Sequence, residues 1–175
     1  FNIVQMKHHT DTAKAIKTMI VRGAGAIGAT GAAGMAQVVL EAPADNFQSY
    51  IAKGAETLRN TRPTAQNLFY GIQAVLKAVE SAADVDSARL AAVEATQAVA
   101  DEDANACQQI GINGNAIIQS GWKISTHCNA GWLAFVDWGS AISPIYTAHR
   151  SGKDVFVFVD ETRPRGQGAR LTAWE

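Results

Sequence analysis

The chain has 175 residues, of which 47% are hydrophobic and 18% are charged, and its formal net charge is −1. This composition is that of a globular protein with one domain, or with one domain and part of another. The near-neutral charge argues against a nucleic-acid-binding surface, because such surfaces rely on clustered Lys and Arg side chains.

Membrane and secreted classes are also disfavoured. The long uncharged run at 23–40 is rich in glycine, which suits a closely packed buried helix better than a membrane span. The first residues, FNIVQMKHHTD, lack the basic end and apolar core of a signal peptide. Two cysteines, Cys107 and Cys128, give no disulfide framework, so a reducing cytoplasm is expected.

The first two thirds of the chain have helical periodicity. Asp11 is expected to cap a helix that runs to Ile20, and the sequence VRGAG then breaks the pattern. The next expected helices cover 26–40, 46–59, about 63–82, a long stretch from Asp84 or Asp86 to Ile110, and a short 114–119. Residues 1–121 are therefore predicted to form a helical N-terminal domain.

At Trp122 the pattern changes to strand, polar loop, helix and strand, so residues 122–175 are predicted to be one β-α-β unit and the fold class to be α/β. The separation of Cys128 and Asp160 fits such a unit, which takes roughly 30 residues. A single unit cannot make a doubly wound sheet, and two strands alone are marginal. We expect this domain to be incomplete, with the sheet completed by further chain or by a partner.

Cys128 is the first candidate for chemistry. It follows a predicted strand, and the loops at the carboxyl ends of parallel strands form the ligand crevice of such folds. A helix expected to begin at 129–131 would place the thiol at its N-terminus. The alternative is a buried cysteine acting as a small apolar residue, which is the expectation for Cys107 in its helical pattern. His127 is a poor base for this thiol, because adjacent residues on a strand point to opposite faces. A structural, hydrogen-bonded histidine is therefore expected.

Two arginines are the second candidate. The run Gly23–Gly28 matches GxGxxG, with Glu41 downstream, but the segment before it is helical, which disfavours a dinucleotide site. Glycines at a helix start would instead offer N–H groups to an anion beside Arg22. Arg62 is also expected at a helix start. Each arginine alone is more often a surface ion pair, but together they suit a phosphorylated small molecule.

The remaining polar residues are weaker signals. The segment 161–170 is polar and follows a strand, where the hydroxyls of a sugar phosphate would be bound. His8, His9 and His149 have no metal-ligand spacing, so no metal is expected.

Five segments resemble one family: VRGAGAIG (21–28), TRPTAQNLFYGI (61–72), DEDANACQQIG (101–111), THCNAG (126–131) and FVDETRPRGQGARLTAWE (158–175). They are similar to the methylthioribose-1-phosphate isomerases of methionine salvage. That superfamily also holds ribose-1,5-bisphosphate isomerases and the regulatory subunits of the translation-initiation exchange factor. The resemblance implies a helical domain followed by a Rossmann-like parallel-sheet domain, and a cytoplasmic homodimer that needs no cofactor.

The resemblance also implies functional residues. It makes Cys128 the catalytic thiol, and it assigns contacts with a phosphorylated pentose to Arg22, Gly23, Ala24, Arg62 and Gln167. It further implies that the chain is truncated at both ends, without N-terminal strands, a catalytic aspartate and an Asn-Lys pair. The implied reaction converts 5-methylthioribose 1-phosphate to 5-methylthioribulose 1-phosphate, by an enediol or by a hydride shift.

Two departures leave the substrate open. Gly25 stands where the family usually has proline, and the bulky Trp132, Phe135 and Trp138 follow THCNAG, where smaller residues are common. These aromatics would reshape the pocket for the group on the fifth carbon, so 5-deoxyribose 1-phosphate is an alternative substrate. A ribose-1,5-bisphosphate isomerase is a third enzyme class, and a non-catalytic regulatory subunit is the rival from outside enzymes.

Overall fold

The computed structural model describes residues 3–175, and contacts divide the chain into two compact units, one ending at Ala100 and one beginning at Asp101. The helices are α1 (His9–Lys17), α2 (Ala24–Glu41), α3 (Phe47–Arg59), α4 (Gln66–Glu80), α5 (Val85–Ile117) and α6 (Ser143–Arg150). The strands are β1 (Trp122–His127) and β2 (Val155–Asp160). No helix in this described part is long and apolar enough to cross a membrane.

The start and end of α1 differ from the sequence prediction. His8, not Asp11, is the N-cap residue. The Asp11 carboxylate instead accepts hydrogen bonds from the backbone N–H groups of Lys7 and His8, both at 3.1 Å. The helix ends at Lys17 rather than Ile20 because Met19 adopts a left-handed conformation with φ 62°.

The helix α5 is one element of 33 residues, whereas the sequence suggested a break and a separate helix at 114–119. Gly111 and Gly114, which lie at the predicted break, are within this one helix and allow close packing. A Cβ on Gly111 would lie 2.4 Å from Ser143 Oγ, and one on Gly114 would lie 2.4 Å from Pro144 Cγ. These glycines therefore let α6 approach α5 closely.

The core of the first unit is formed by α1 to α4 and the beginning of α5. Its fully buried side chains include Ile16, Met35, Leu58, Leu68, Ile72 and Val75. The small residues of α2 bring α4 close: a Cβ on Gly28 would lie 3.2 Å from Asn67 Cβ, and one on Gly31 would lie 2.6 Å from Leu68 Cδ1. The predicted small-residue helix is therefore confirmed as a tightly packed one.

The second unit contains the predicted β-α-β unit. Strands β1 and β2 pair in parallel, with Trp122 opposite Val155 and His127 opposite Asp160. Along β2 the side chains alternate between half-buried valines and exposed Phe156 and Phe158, and α6 contacts this strand. The α/β class is confirmed. The change from helix to strand falls at Trp122, and the division into domains 1–121 and 122–175 stays a prediction.

Candidate functional site

Cys128 follows the last residue of β1 in a left-handed conformation, with φ 63°. This conformation is uncommon for a residue with a side chain and costs on the order of 1 kcal/mol. Its carbonyl oxygen accepts a hydrogen bond from Thr172 Oγ1 at 2.5 Å. The residue is half-buried. The loop therefore holds the thiol at the carboxyl end of a parallel strand, as the sequence predicted.

The predicted helix after Cys128 is absent. A three-residue 3-10 turn, Trp132–Ala134, follows the loop, and α6 begins only at Ser143. The chain is not a continuous helix there because Gly131 and Phe135 both have extended backbone conformations, with ψ −171° and −177°. The expectation that the thiol lies at a helix N-terminus was therefore wrong.

Thr172 joins the Cys128 loop to the end of the chain. It is 7% exposed and lies in a π-helical turn, Gly168–Thr172. Its hydroxyl donates to the Cys128 carbonyl, and its oxygen accepts from Asn129 Nδ2 at 3.1 Å. The three groups form a chain of two hydrogen bonds. Thr172 was not predicted as a functional residue, because no spacing rule in the sequence links it to a loop 44 residues earlier.

The segment after β2 is folded by a carboxylate. Glu161 accepts hydrogen bonds from the N–H groups of Gly168 and Ala169, each at 2.9 Å. Thr162 Oγ1 donates to the side-chain oxygen of Gln167. The Gln167 amide is therefore held at its oxygen end, and its nitrogen end is the part that would reach a ligand.

We expect the Glu161 carboxyl to titrate below its ordinary pKa of 4.5, since hydrogen bonds from the Ala169 and Gly168 N–H groups lower its pKa. The ionised form stabilises the loop above that pH, and the stabilisation disappears as pH falls through the lowered pKa. In ¹⁵N-labelled protein the amide signals of Gly168 and Ala169 should shift with a midpoint below 4.5. Glu161→Gln should abolish that titration, and a midpoint at or above the ordinary value would contradict the hydrogen bonds.

The bulky aromatics after the loop line a cavity of about 180 Å³ together with Tyr146, Arg150 and Glu175. Trp132 stacks on Trp174 with ring centroids 6.0 Å apart, and the Arg150 guanidinium lies 4.9 Å from the centre of the Trp138 ring. The remaining aromatic of the sequence prediction, Phe135, is half-buried beside the 3-10 turn.

The Glu175 carboxylate forms hydrogen bonds with residues that follow the Cys128 loop. It accepts from the Leu133 N–H at 3.0 Å and from the Tyr146 hydroxyl at 2.7 Å. Burial and this hydrogen bond raise the pKa of Tyr146. The hydroxyl therefore stays protonated and donates to Glu175 throughout the neutral pH range.

Other side chains of the second unit have structural surroundings. Cys107 is 3% exposed. Burial, followed by the nearby Asp103 and Asp137 charges, raises the pKa of its thiol to about 11. Its burial and raised pKa make Cys107 a poor nucleophile.

His127 and Asp160 are opposite each other in the sheet, but their ring nitrogen and carboxylate oxygen are 4.0 Å apart and both side chains are exposed.

In the first unit, Arg22 and Gly23 lead directly into α2. Gly23 is the N-cap residue with φ 103°, and Ala24 is the first helical residue. The N–H groups at the beginning of a helix have no partner within it, so they are available to an anion. Arg22 is half-buried beside them.

Arg62 lies further from a helix than the sequence predicted. It forms a turn in which the Ala65 N–H donates to its carbonyl oxygen at 3.0 Å, and α4 begins at Gln66. The N-terminal parts of α2 and α4 nevertheless contact each other at Gly28 and Asn67. Arg22 and Arg62 therefore precede the same end of one helix pair.

Glu41 is engaged within the first unit. Its carboxylate lies 2.5 Å from His9 Nδ1, and it accepts from the His9 N–H at 2.9 Å and from the Tyr50 hydroxyl at 3.2 Å. Burial raises the pKa of Glu41, but the hydrogen bonds and charge of His9 outweigh it and the net pKa is lowered. Gly23 caps α2 and residues 24–28 begin it, but the element before them is the helix α1 rather than a strand, which argues against a dinucleotide site.

These features define an α/β class of protein in which a helical unit is followed in sequence by a small parallel β-α-β unit. A thiol lies at the end of the first strand of that unit. The chain belongs to the initiation factor 2 subunit family, whose model matches residues 20–175. The family contains both enzymes and translation factors among the relatives found.

Several curated relatives are named methylthioribose-1-phosphate isomerase. The protein of Methylorubrum populi is 45% identical over all of this chain and 49% of its own length, and that of Acetivibrio thermocellus is 43% identical over 99% of this chain and 52% of its own. The chain therefore spans about half the length of the curated relatives it matches.

Similar solved structures include an isomerase and a translation initiation factor subunit. The 5-methylthioribose 1-phosphate isomerase of Pyrococcus horikoshii matches with a TM-score of 0.92 at 38% identity, over 100% of this chain and 50% of that one. The delta subunit of translation initiation factor eIF-2B from A. fulgidus matches with 0.89 at 37% identity, over 99% and 52%. The resemblance drawn from the sequence motifs is confirmed.

Proposed function

We propose that the protein containing this chain is an aldose-ketose isomerase that converts 5-methylthioribose 1-phosphate to 5-methylthioribulose 1-phosphate. The observation that carries the proposal is similarity along the whole chain to proteins of that name, together with a half-buried cysteine in the loop after β1. We further propose that the protein works in methionine salvage, as a cytoplasmic homodimer.

Each candidate residue has a role in this reaction. Arg22 and Arg62 bind the phosphate, assisted by the N–H groups at Gly23 and Ala24. The Gln167 amide donates from Nε2 to a sugar hydroxyl. These roles are supported by the position of both arginines at one end of the α2–α4 pair and by the fixed amide of Gln167.

Cys128 acts on the carbons that exchange hydrogen. The phosphate on C1 prevents spontaneous ring opening, so the ring oxygen must take a proton as the C1–O bond breaks. The hydrogen on C2 then moves to C1, and the C2 hydroxyl becomes the ketone by releasing its proton, which balances the proton taken by the ring oxygen. Cys128 serves as acid or base in the enediol route, or stabilises the transition state of a hydride shift. A half-buried thiol suits either role.

The alternative is a non-catalytic subunit of the initiation-factor kind. The fold is equally compatible with this alternative, because the match to the A. fulgidus protein has nearly the same sequence identity and TM-score as the match to the isomerase. The strained Cys128 favours the enzyme, because a regulatory subunit has no need of a thiol held in a left-handed loop.

Measuring substrate turnover by the natural full-length protein tests the proposal. Proton NMR should show conversion of methylthioribose 1-phosphate to the ketose, with 5-deoxyribose 1-phosphate and ribose 1,5-bisphosphate as comparison substrates. The first should react at least tenfold faster in kcat/KM than either other sugar. Equal rates on the first two would overturn the assigned substrate, and no turnover of any would favour the regulatory subunit.

A further inference from the structure

We propose that Thr172 is a positioning residue that holds the Cys128 loop in the conformation that turnover requires. The inference rests on the proposed function for its catalytic consequence, but not for its structural one. It starts from the two hydrogen bonds that the Thr172 hydroxyl makes with neighbouring residues of the loop.

The direction of these bonds follows from their chemistry. A hydroxyl has one proton to donate, and the Cys128 carbonyl can only accept, so that proton is used at 2.5 Å. Thr172 Oγ1 can then only accept from Asn129, which must present its Nδ2. The Asn129 side-chain oxygen is consequently buried without a partner among residues 3–175. One hydroxyl therefore fixes both the Cys128 backbone and the orientation of the Asn129 amide.

The strain at Cys128 explains why the loop needs this bond. A left-handed non-glycine residue persists only where its surroundings hold it. The next part of the loop is already fixed, because the Ala130 carbonyl accepts from the Ser140 N–H at 2.8 Å and from the Ile142 N–H at 3.4 Å. Thr172 supplies the corresponding restraint at Cys128 itself, from a position where its side chain is 7% exposed.

Two substitutions separate the hydroxyl from the shape of the side chain. Thr172→Val keeps the volume and removes the hydroxyl, whereas Thr172→Ser keeps the hydroxyl. In the natural full-length protein we expect Thr172→Val to lower kcat about tenfold with KM within about twofold, and Thr172→Ser to restore kcat to within about threefold. Loss of activity in both variants, or in neither, would overturn the proposal.

A second measurement needs no sugar phosphate. Iodoacetamide should alkylate Cys128 at least threefold faster in Thr172→Val than in the wild type, because the half-buried thiol is released with its loop. The same rate, or a slower one, would overturn positioning. Cys107 is 3% exposed and provides an internal reference whose slow alkylation should not change. If alkylation responds as expected while the wild type turns over no substrate, the proposed function fails and the positioning role stands.

Discussion

Replacement of Cys128 by serine should lower turnover of methylthioribose 1-phosphate by about 10²–10⁴-fold, the usual contribution of a positioned acid or base. Serine has nearly the same shape as cysteine, so the loop should keep its structure. Its hydroxyl is a far weaker acid and nucleophile than a thiol. The dissociation constant for the sugar phosphate, measured by calorimetry, should stay within about twofold of the wild-type value. The measurement belongs on the natural full-length protein.

The other cysteine provides the matched control. Cys107 is buried at 3% exposure in α5, so Cys107→Ala removes a thiol without touching the loop. This variant should keep wild-type turnover, apart from a modest loss of stability. Near-wild-type turnover in Cys128→Ser would remove the thiol from the mechanism.

The second large effect is expected at Gly71, where α4 crosses α2. A Cβ there would lie 2.2 Å from the Gly28 carbonyl oxygen and 3.1 Å from the Ala32 nitrogen. Both are backbone atoms, so the helices themselves must move apart. We expect Gly71→Ala to lower the free energy of unfolding by about 2 kcal/mol, because the overpacking outweighs the roughly 1 kcal/mol gained in helix propensity.

Gly28→Ala is the graded control on the same helix pair. Its Cβ would lie 3.2 Å from the Asn67 Cβ and carbonyl oxygen, which requires a shift of only tenths of an ångström. Its free energy of unfolding should stay within about 1 kcal/mol of the wild type. Denaturant unfolding followed by helical circular dichroism gives both values. Gly71→Ala being at least as stable as Gly28→Ala would contradict the close crossing.

The periodic parts of the sequence predicted the fold well. Hydrophobic spacing located the helices of the first unit, and the change of pattern at Trp122 located β1. The errors fell where a tertiary contact overrides a local signal. The sequence predicted a break between Ile110 and Gly114, but α5 is continuous there and its glycines accommodate α6. The apolar residues after Cys128 form a folded loop instead of a helix.

The candidate site was predicted only through single residues. Motifs located Cys128 and Arg22 on the chain, because each lies next to a recognisable boundary between elements. The bond from Thr172 joins residues 44 apart in sequence, and the hydrogen bonds of Glu161 depend on how the chain turns after β2. Contacts of this kind have no period or spacing in sequence, so one sequence alone does not reveal them.

The hydrogen bond across those 44 residues also sets an order of events during folding. While the chain leaves the ribosome, β1 and the loop emerge well before Thr172 does. Cys128 has no reason to keep φ 63° until the later residues arrive, so its backbone remains free to sample extended conformations. The thiol thus acquires its final geometry late, together with the closing of the π-helical turn.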